Sequence, residues 1–191
     1  MTLDDKTRAL TLPADDQFKA ELEAINRFQR IAHSQMIVGH DYGIIPGTSK
    51  PTLLKPGAEK IIKLLGLADT YDFIDRQEDW SKPFFRYLVR ATLTHISSGV
   101  VVGQGFGECN SMDSKYRYRW LFGSEVPEGL DKTKLPLRTI TTKNGKAKQY
   151  RVDNDDPFSL VNTMIKMAKK RAQVDAALSA GRLSDVFTQD I

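Results

Sequence analysis

Cysteine is almost missing: the 191 residues hold one, Cys109. A single thiol excludes a disulfide framework and any multi-cysteine zinc site or iron–sulfur cluster, and it suits a reducing cytoplasm. Histidine is scarce too, at three. His33 and His40 lie seven apart with neither a carboxylate at i+4 nor a cysteine pair, and His95 is distant, so no metal site and no cofactor are expected. No stretch approaches the roughly 18 apolar residues that a membrane span needs, and MTLDDKTRAL at the N-terminus has no apolar signal core. A soluble, unprocessed, cytoplasmic chain with no membrane partner is the expectation. No GxxxxGK[ST] occurs, and GQGFGE places its glycines at 103, 105 and 107, which is not the dinucleotide fingerprint, so ATP-driven chemistry is not expected. Repeats and low-complexity tracts are lacking as well.

What is present is ordinary globular material, 40% hydrophobic and 27% charged, enough for one compact domain. The net charge of +4 is unevenly spread. Residues 1–109 carry 13 basic and 14 acidic side chains, residues 110–171 carry 14 and 7, and residues 172–191 carry 1 and 3. Concentrated positive charge points to a polyanionic partner, or to a lysine-rich loop that only solubilises.

Three segments are expected: an N-terminal helical segment over 1–40, a core over 41–181 and a tail over 182–191. Asp15 can cap a long helix whose Phe18, Leu22, Ile25, Ile31 and Met36 recur at helical spacing, with Gly39 as its stop. DYGIIPGTSKPTL (41–53) reads as an ordered loop, and Pro56 to Gly66 bracket a short helix near 56–65. From Asp69 the period changes to two, over 69–80, 83–96 and 100–108, which predicts an antiparallel meander. Its middle strand puts Phe85, Tyr87, Val89, Ala91 and Leu93 on one face and Arg86, Leu88, Arg90, Thr92 and Thr94 on the other. Residues 110–136 look irregular. Asn144-Gly145 marks a basic hairpin over 138–152, within an insertion around 121–150. Asp156-Pro157 then opens a helix with Val161, Ile165, Ala168, Ala172 and Ala176 as its stripe and Gly181 as its end. The fold class is therefore α+β, an antiparallel β-meander packed against a C-terminal helix, with a long N-terminal helix.

No catalytic constellation emerges. The strand glycines read as a bulge or the close approach of another backbone, or as room for a nucleic acid or a neighbouring subunit. The acids of 69–79 fall on both strand faces, which favours a solvated edge over a magnesium-binding nuclease cluster. Cys109 reads as a buried thiol rather than a nucleophile. KYRYRW (115–120), if extended, puts Lys115, Arg117 and Arg119 on one side and Tyr116, Tyr118 and Trp120 on the other. It is then either a core-packed strand with a basic outside or a groove that tracks phosphates and stacks bases. In the last helix Lys166, Lys169 and Lys170 flank the apolar stripe on one side and Arg171 on the other.

The order of loop, short helix, meander, glycine-rich strand and lysine-bearing helix resembles the annealing core of the Rad fifty-two family of single-strand annealing proteins. GAEKIIKLLGLADTYDFID resembles the family's helix leading into its first sheet strand, and Lys170-Arg171-Ala172 matches the Lys-Arg-Ala of the helix that closes its groove. The likeness spans roughly residues 50–181. It implies a β-β-β-α annealing core and ATP-independent binding and annealing of single-stranded DNA in recombination, as in the RecT and Redβ type of phages and mobile elements. It also implies a homo-oligomeric ring or helical filament, with an exonuclease or a single-strand-binding protein as a further partner. Lys55, Arg86, Arg90, Lys115, Arg117, Arg119, Lys166, Lys169, Lys170 and Arg171 are the candidate DNA-binding residues, with Lys170, Arg171, Arg86 and Arg90 expected to share one groove. The family's further basic residue after this Arg is not carried over, because Val174 and Asp175 stand there. The competing readings are a general or sequence-specific nucleic-acid-binding module, a metal-dependent nuclease and a purely structural oligomer.

Overall fold

A computed structural model describes residues 14–45 and 48–189; the rest of the expected N-terminal segment, of the 41–53 loop and of the tail lies outside the described residues. In chain order the elements are α1 (Asp15–Gln35), β1 (Tyr42–Gly43), β2 (Thr52–Leu53), α2 (Lys55–Leu64), β3 (Leu67–Asp79), β4 (Phe84–His95) and β5 (Val101–Asn110). There follow α3 (Ser114–Arg117), β6 (Tyr118–Phe122), β7 (Leu137–Thr142), β8 (Gly145–Asp153) and α4 (Val161–Gly181), the last entered through a 3-10 turn at Phe158–Leu160.

The period-two segments form the antiparallel sheet β3-β4-β5. Strand β4 sorts its side chains as its alternation demands, with Phe85, Tyr87, Val89, Ala91 and Leu93 buried. The larger of these, such as Phe85, Val89 and Leu93, each contribute about 1.5–3 kcal/mol on removal from water. Across that face lies α4, burying Met164, Ala168, Ala172 and Ala176. The small residues of α4 meet the glycines of β5: a Cβ on Gly105 would stand 2.1 Å from the Ala176 nitrogen, and one on Gly107 2.3 Å from the Ala168 carbonyl oxygen. The backbone those glycines admit is therefore the protein's own helix, which takes the space that a nucleic acid or neighbouring subunit would have needed.

Helix α4 also closes the free edge of β5. The Phe106 N–H donates to Asp175 Oδ2 at 2.8 Å, and Arg171 donates to the Glu108 carbonyl at 2.6 Å. Helix α2 packs beside α4 through Ala58, Ile61 and Ile62, and Gly66 ends it at φ +66 before β3 begins.

Several expectations are corrected. Helix α1 starts after Ala14, with Asp15 and Asp16 in its first turn rather than as its cap, and it ends at Gln35, short of Gly39. His40 is thus off the helix, its Nδ1 donating to Asp41 Oδ1, while His33 stacks on Tyr42. The helix expected from Asp156-Pro157 begins as the 3-10 turn, where Asp156 accepts from the Ser159 N–H, and turns α-helical at Val161. The tail belongs to the core: Leu183 and Phe187 are fully buried, and the Leu53 N–H donates to the Thr188 carbonyl. The basic hairpin is present, with Gly145 at φ +110, but it is part of a three-stranded sheet, β6-β8-β7, to which the segment read as irregular contributes β6. Among the described residues no helix is long and apolar enough to cross a membrane.

Candidate nucleic-acid interface

Because α4 covers β4 and β5, the inner face of β3 is left as a trough between α4 and α2. Its volume is about 610 Å³, and its lining includes Lys55 and Glu59 from α2, Asp69 and Tyr71 from β3, and Lys166, Met167, Lys169, Lys170 and Gln173 from α4. Helical geometry gathers the α4 set, since positions 166, 169, 170 and 173 follow the i, i+3, i+4, i+7 spacing of one face. The Lys169 ammonium sits 4.1 Å from the centre of the Tyr71 ring, a cation–π contact. Gln173 donates to Asp69 Oδ2 at 2.9 Å, and the Tyr71 hydroxyl donates to the same oxygen. Burial, followed by that bond to Asp69, pushes the Tyr71 hydroxyl pKa upward, so the ring stays neutral. Lys55 lies 2.6 Å from Glu59, both half exposed. The trough combines cationic walls with an aromatic and thioether floor, the composition that tracks a phosphate backbone beside a stacking surface.

Of the ten candidate residues, the cleft brings together Lys55, Lys166, Lys169 and Lys170. Arg86 and Arg90 are elsewhere, which corrects the shared groove. The register pairs Arg90 with Phe106 and Asp72, on the sheet face away from α4. There Arg86 bridges Asp75 and Glu108 at 2.5 Å each, and Arg90 meets Asp72 at 3.2 Å. The bond to Arg86 holds the Glu108 carboxyl below its ordinary range against the opposing effect of burial.

Arg171 leaves the cleft on the other flank of α4, bonding the Glu108 carbonyl and lying 3.3 Å from Asp113. KYRYRW does not form one strand: the Asp113 carbonyl accepts from the Tyr116 and Arg117 N–H groups, making a helical turn, and β6 starts at Tyr118. Lys115 and Arg117 are therefore on α3, next to the Tyr116 and Tyr118 rings, and Arg119 pairs with Asp155 at 2.7 Å.

The acids of 69–79 are each engaged. Asp69 accepts from Tyr71 and Gln173, and Glu78 accepts from Arg76 and Tyr87. Asp72 and Asp75 face the arginines, while Asp79 accepts from the Ser81 and Lys82 N–H groups. Among the described residues no three His, Cys, Asp or Glu side chains stand where they could hold one metal ion. Cys109 is buried, which raises its thiol pKa and keeps it a poor nucleophile.

Sequence reasoning passed over Tyr71, Met167, Glu59 and Gln173. Tyr71 was within reach, because an aromatic residue on the inner face of an edge strand has no helix of its own to cover it.

Compared with known proteins, the chain matches no family model, no curated protein and no solved structure.

Proposed function

We propose that the chain binds single-stranded DNA along the cleft between α4 and β3 and anneals complementary strands without ATP. The observation that carries this reading is the gathering of Lys55, Lys166, Lys169 and Lys170 around Tyr71 and Met167 in one open trough. Cations that grip phosphates leave base edges free to test a partner strand, which annealing requires and sequence-specific readout does not. Duplex formation is itself downhill, so no nucleotide hydrolysis is needed. One such cleft binds weakly; a ring or filament of copies would multiply affinity through effective concentration. The exposed Phe18 and Leu22 of α1 support such association, and the resemblance to the Rad fifty-two family supports both parts of the reading.

Fluorescence anisotropy with mixed-sequence oligonucleotides tests the binding, and a strand-pairing assay without ATP tests the annealing. Single strands should bind more tightly than duplex, independently of magnesium, with log affinity falling by about 0.7 per tenfold salt for each phosphate held. Salt-insensitive binding, or pairing no faster than without protein, would overturn the proposal. Cleavage that requires magnesium would favour the nuclease reading instead. Mass photometry with and without the oligonucleotide tests assembly, and a 21.5 kDa species in both conditions would remove the ring.

A further inference from the structure

The sheet β6-β8-β7 carries a second surface that the cleft does not use. Side chains alternate along β6, so Tyr118, Trp120 and Phe122 share one face, and the register sets them opposite Asp153, Arg151 and Gln149 of β8. On β7, Arg138 and Ile140 lie on the same face, opposite Gln149 and Ala147. Guanidinium groups lie against the rings: Arg138 is 4.3 Å from the centre of Trp120, and Arg151 is 4.5 Å from that of Tyr118. Arg138 is held in place by Gln149 Oε1, which accepts from its Nε at 3.0 Å and from a terminal nitrogen at 2.7 Å.

We infer that this face is a second, separate binding site for single-stranded nucleic acid, in which splayed bases stack on the Tyr118 and Trp120 rings and on the planes of Arg151 and Arg138. The charge selects a polyanion: residues 115–153, to the end of β8, contain ten basic side chains against four acidic ones, Glu125, Glu128, Asp131 and Asp153. Three of these acids fall in the 123–136 connection, and the one on the strands, Asp153, stands at the end of β8 opposite Tyr118. Planar cations resting on aromatic rings are the surface on which unpaired bases stack regardless of sequence.

Spacing selects a single strand. Alternate residues of a strand stand about 6.8 Å apart, twice the 3.4 Å repeat of stacked bases, so only a strand free to unstack can meet successive rings. A duplex, with its base faces enclosed, offers them nothing. The site does not depend on the cleft, and its residues are all outside it.

The test uses the full chain carrying Trp80→Phe, which leaves Trp120 as the sole tryptophan of the two. Adding a twelve-residue oligothymidylate should quench Trp120 emission saturably and shield it from acrylamide. The same quenching should persist when Lys166, Lys169 and Lys170 are also changed to Ala, whereas Arg138→Gln with Arg151→Gln should weaken it about tenfold at unchanged circular dichroism. A blunt duplex of equal length should quench at least tenfold less well. Failure of the cleft reading would appear as unchanged total binding in the lysine variant and would leave the Trp120 signal intact. The inference is overturned if the oligonucleotide neither quenches nor shields Trp120, or if the lysine variant abolishes the signal. It is also overturned if a Glu- and Asp-rich peptide quenches Trp120 where the oligonucleotide does not, which would make the face a protein-docking surface. Should the arginine variant fail to fold, acrylamide shielding in the Trp80→Phe chain decides alone.

Discussion

The two sides of the β3-β4-β5 sheet differ in how their cations are partnered: two arginines on the outer face, four lysines of α2 and α4 beside the inner one. On the outer face, Arg86 and Arg90 are met across the strands by Asp75, Glu108 and Asp72, so the field they project is largely cancelled. On the inner side, four lysines surround the cleft, whose lining acids are Glu59 and Asp69, and Asp69 already accepts two hydrogen bonds. The register sets a carboxylate beside each outer arginine, whereas in the cleft Lys55 pairs with Glu59 and Lys169 lies over the Tyr71 ring. Counting basic residues along the chain cannot tell the two cases apart.

The largest effect should come from the contact that builds the inner side at all. Gly105→Val would drive a side chain into the α4 backbone and is expected to cost about 3 kcal/mol or more, seen as a collapse of the thermal transition. Next, Arg171→Ala should remove hydrogen bonds worth about 1.5–3 kcal/mol, a fall of roughly 3–12 °C for a domain of this size. Oligonucleotide affinity per folded molecule should stay unchanged. An equal loss of affinity would return Arg171 to the cleft.

Changing Lys166, Lys169 and Lys170 to Ala keeps strong helix formers and should weaken single-strand binding at least tenfold in anisotropy, while flattening the salt slope by about 2 if each holds one phosphate. The matching change on the outer face, Arg86→Gln with Arg90→Gln, should alter affinity by less than about twofold, because those arginines lie on the far side of the sheet and are already paired with Asp75, Glu108 and Asp72. If the outer pair matters more than the inner triplet, the comparison is reversed.

The smallest effect near neutral pH concerns Asp41. Its side chain is fully buried and accepts from Lys60, the Ile37 N–H and His40. Burial alone would raise its pKa, but those partners outweigh it and hold the carboxyl down at about 2, against an ordinary 3.8. A depressed folded pKa stabilises fully above the ordinary value and is lost as pH falls through the folded one. Denaturant midpoints should therefore be flat above about pH 5 and drop between about 4 and 2, and Asp41→Asn should remove part of that drop. An identical acid profile in the variant would show that Asp41 is not its source.

Much of this arrangement was legible in the sequence. Strict alternation in β4 separated Phe85 through Leu93 from Arg86 through Thr94, because one-sided burial imposes a period of two. Asn144-Gly145 and the Gly66 stop were also readable from local backbone chemistry, whereas at the end of α4 the left-handed position falls on Arg182, one residue past Gly181. What escaped was non-local. Periodicity sorts side chains into two faces but does not say which face a helix far along the chain will cover, so Arg86 and Arg90 were placed beside α4 when they lie behind the sheet. The cleft joins Lys55, Tyr71 and Lys169, which no local window contains together. In KYRYRW an alternating pattern lost to a single turn anchored by the Asp113 carbonyl. The buried Leu183 and Phe187 were hidden in a polar tail because the ring partners of Phe187, His33 of α1 and Tyr42 of β1, come from the other end of the chain.

The bonds that α4 makes along β5 have a consequence for what the protein avoids. An edge strand with bare N–H and C=O groups invites a foreign strand to add on, and β5, smoothed by glycines at 103, 105 and 107, would be an easy template. With the Phe106 N–H occupied by Asp175 and the Glu108 carbonyl by Arg171, that edge offers an incoming strand an interrupted ladder. The helix that forms one wall of the cleft thus also guards that edge, and substitution of Asp175 or Arg171 should lower the solubility of the protein at high concentration as well as its stability.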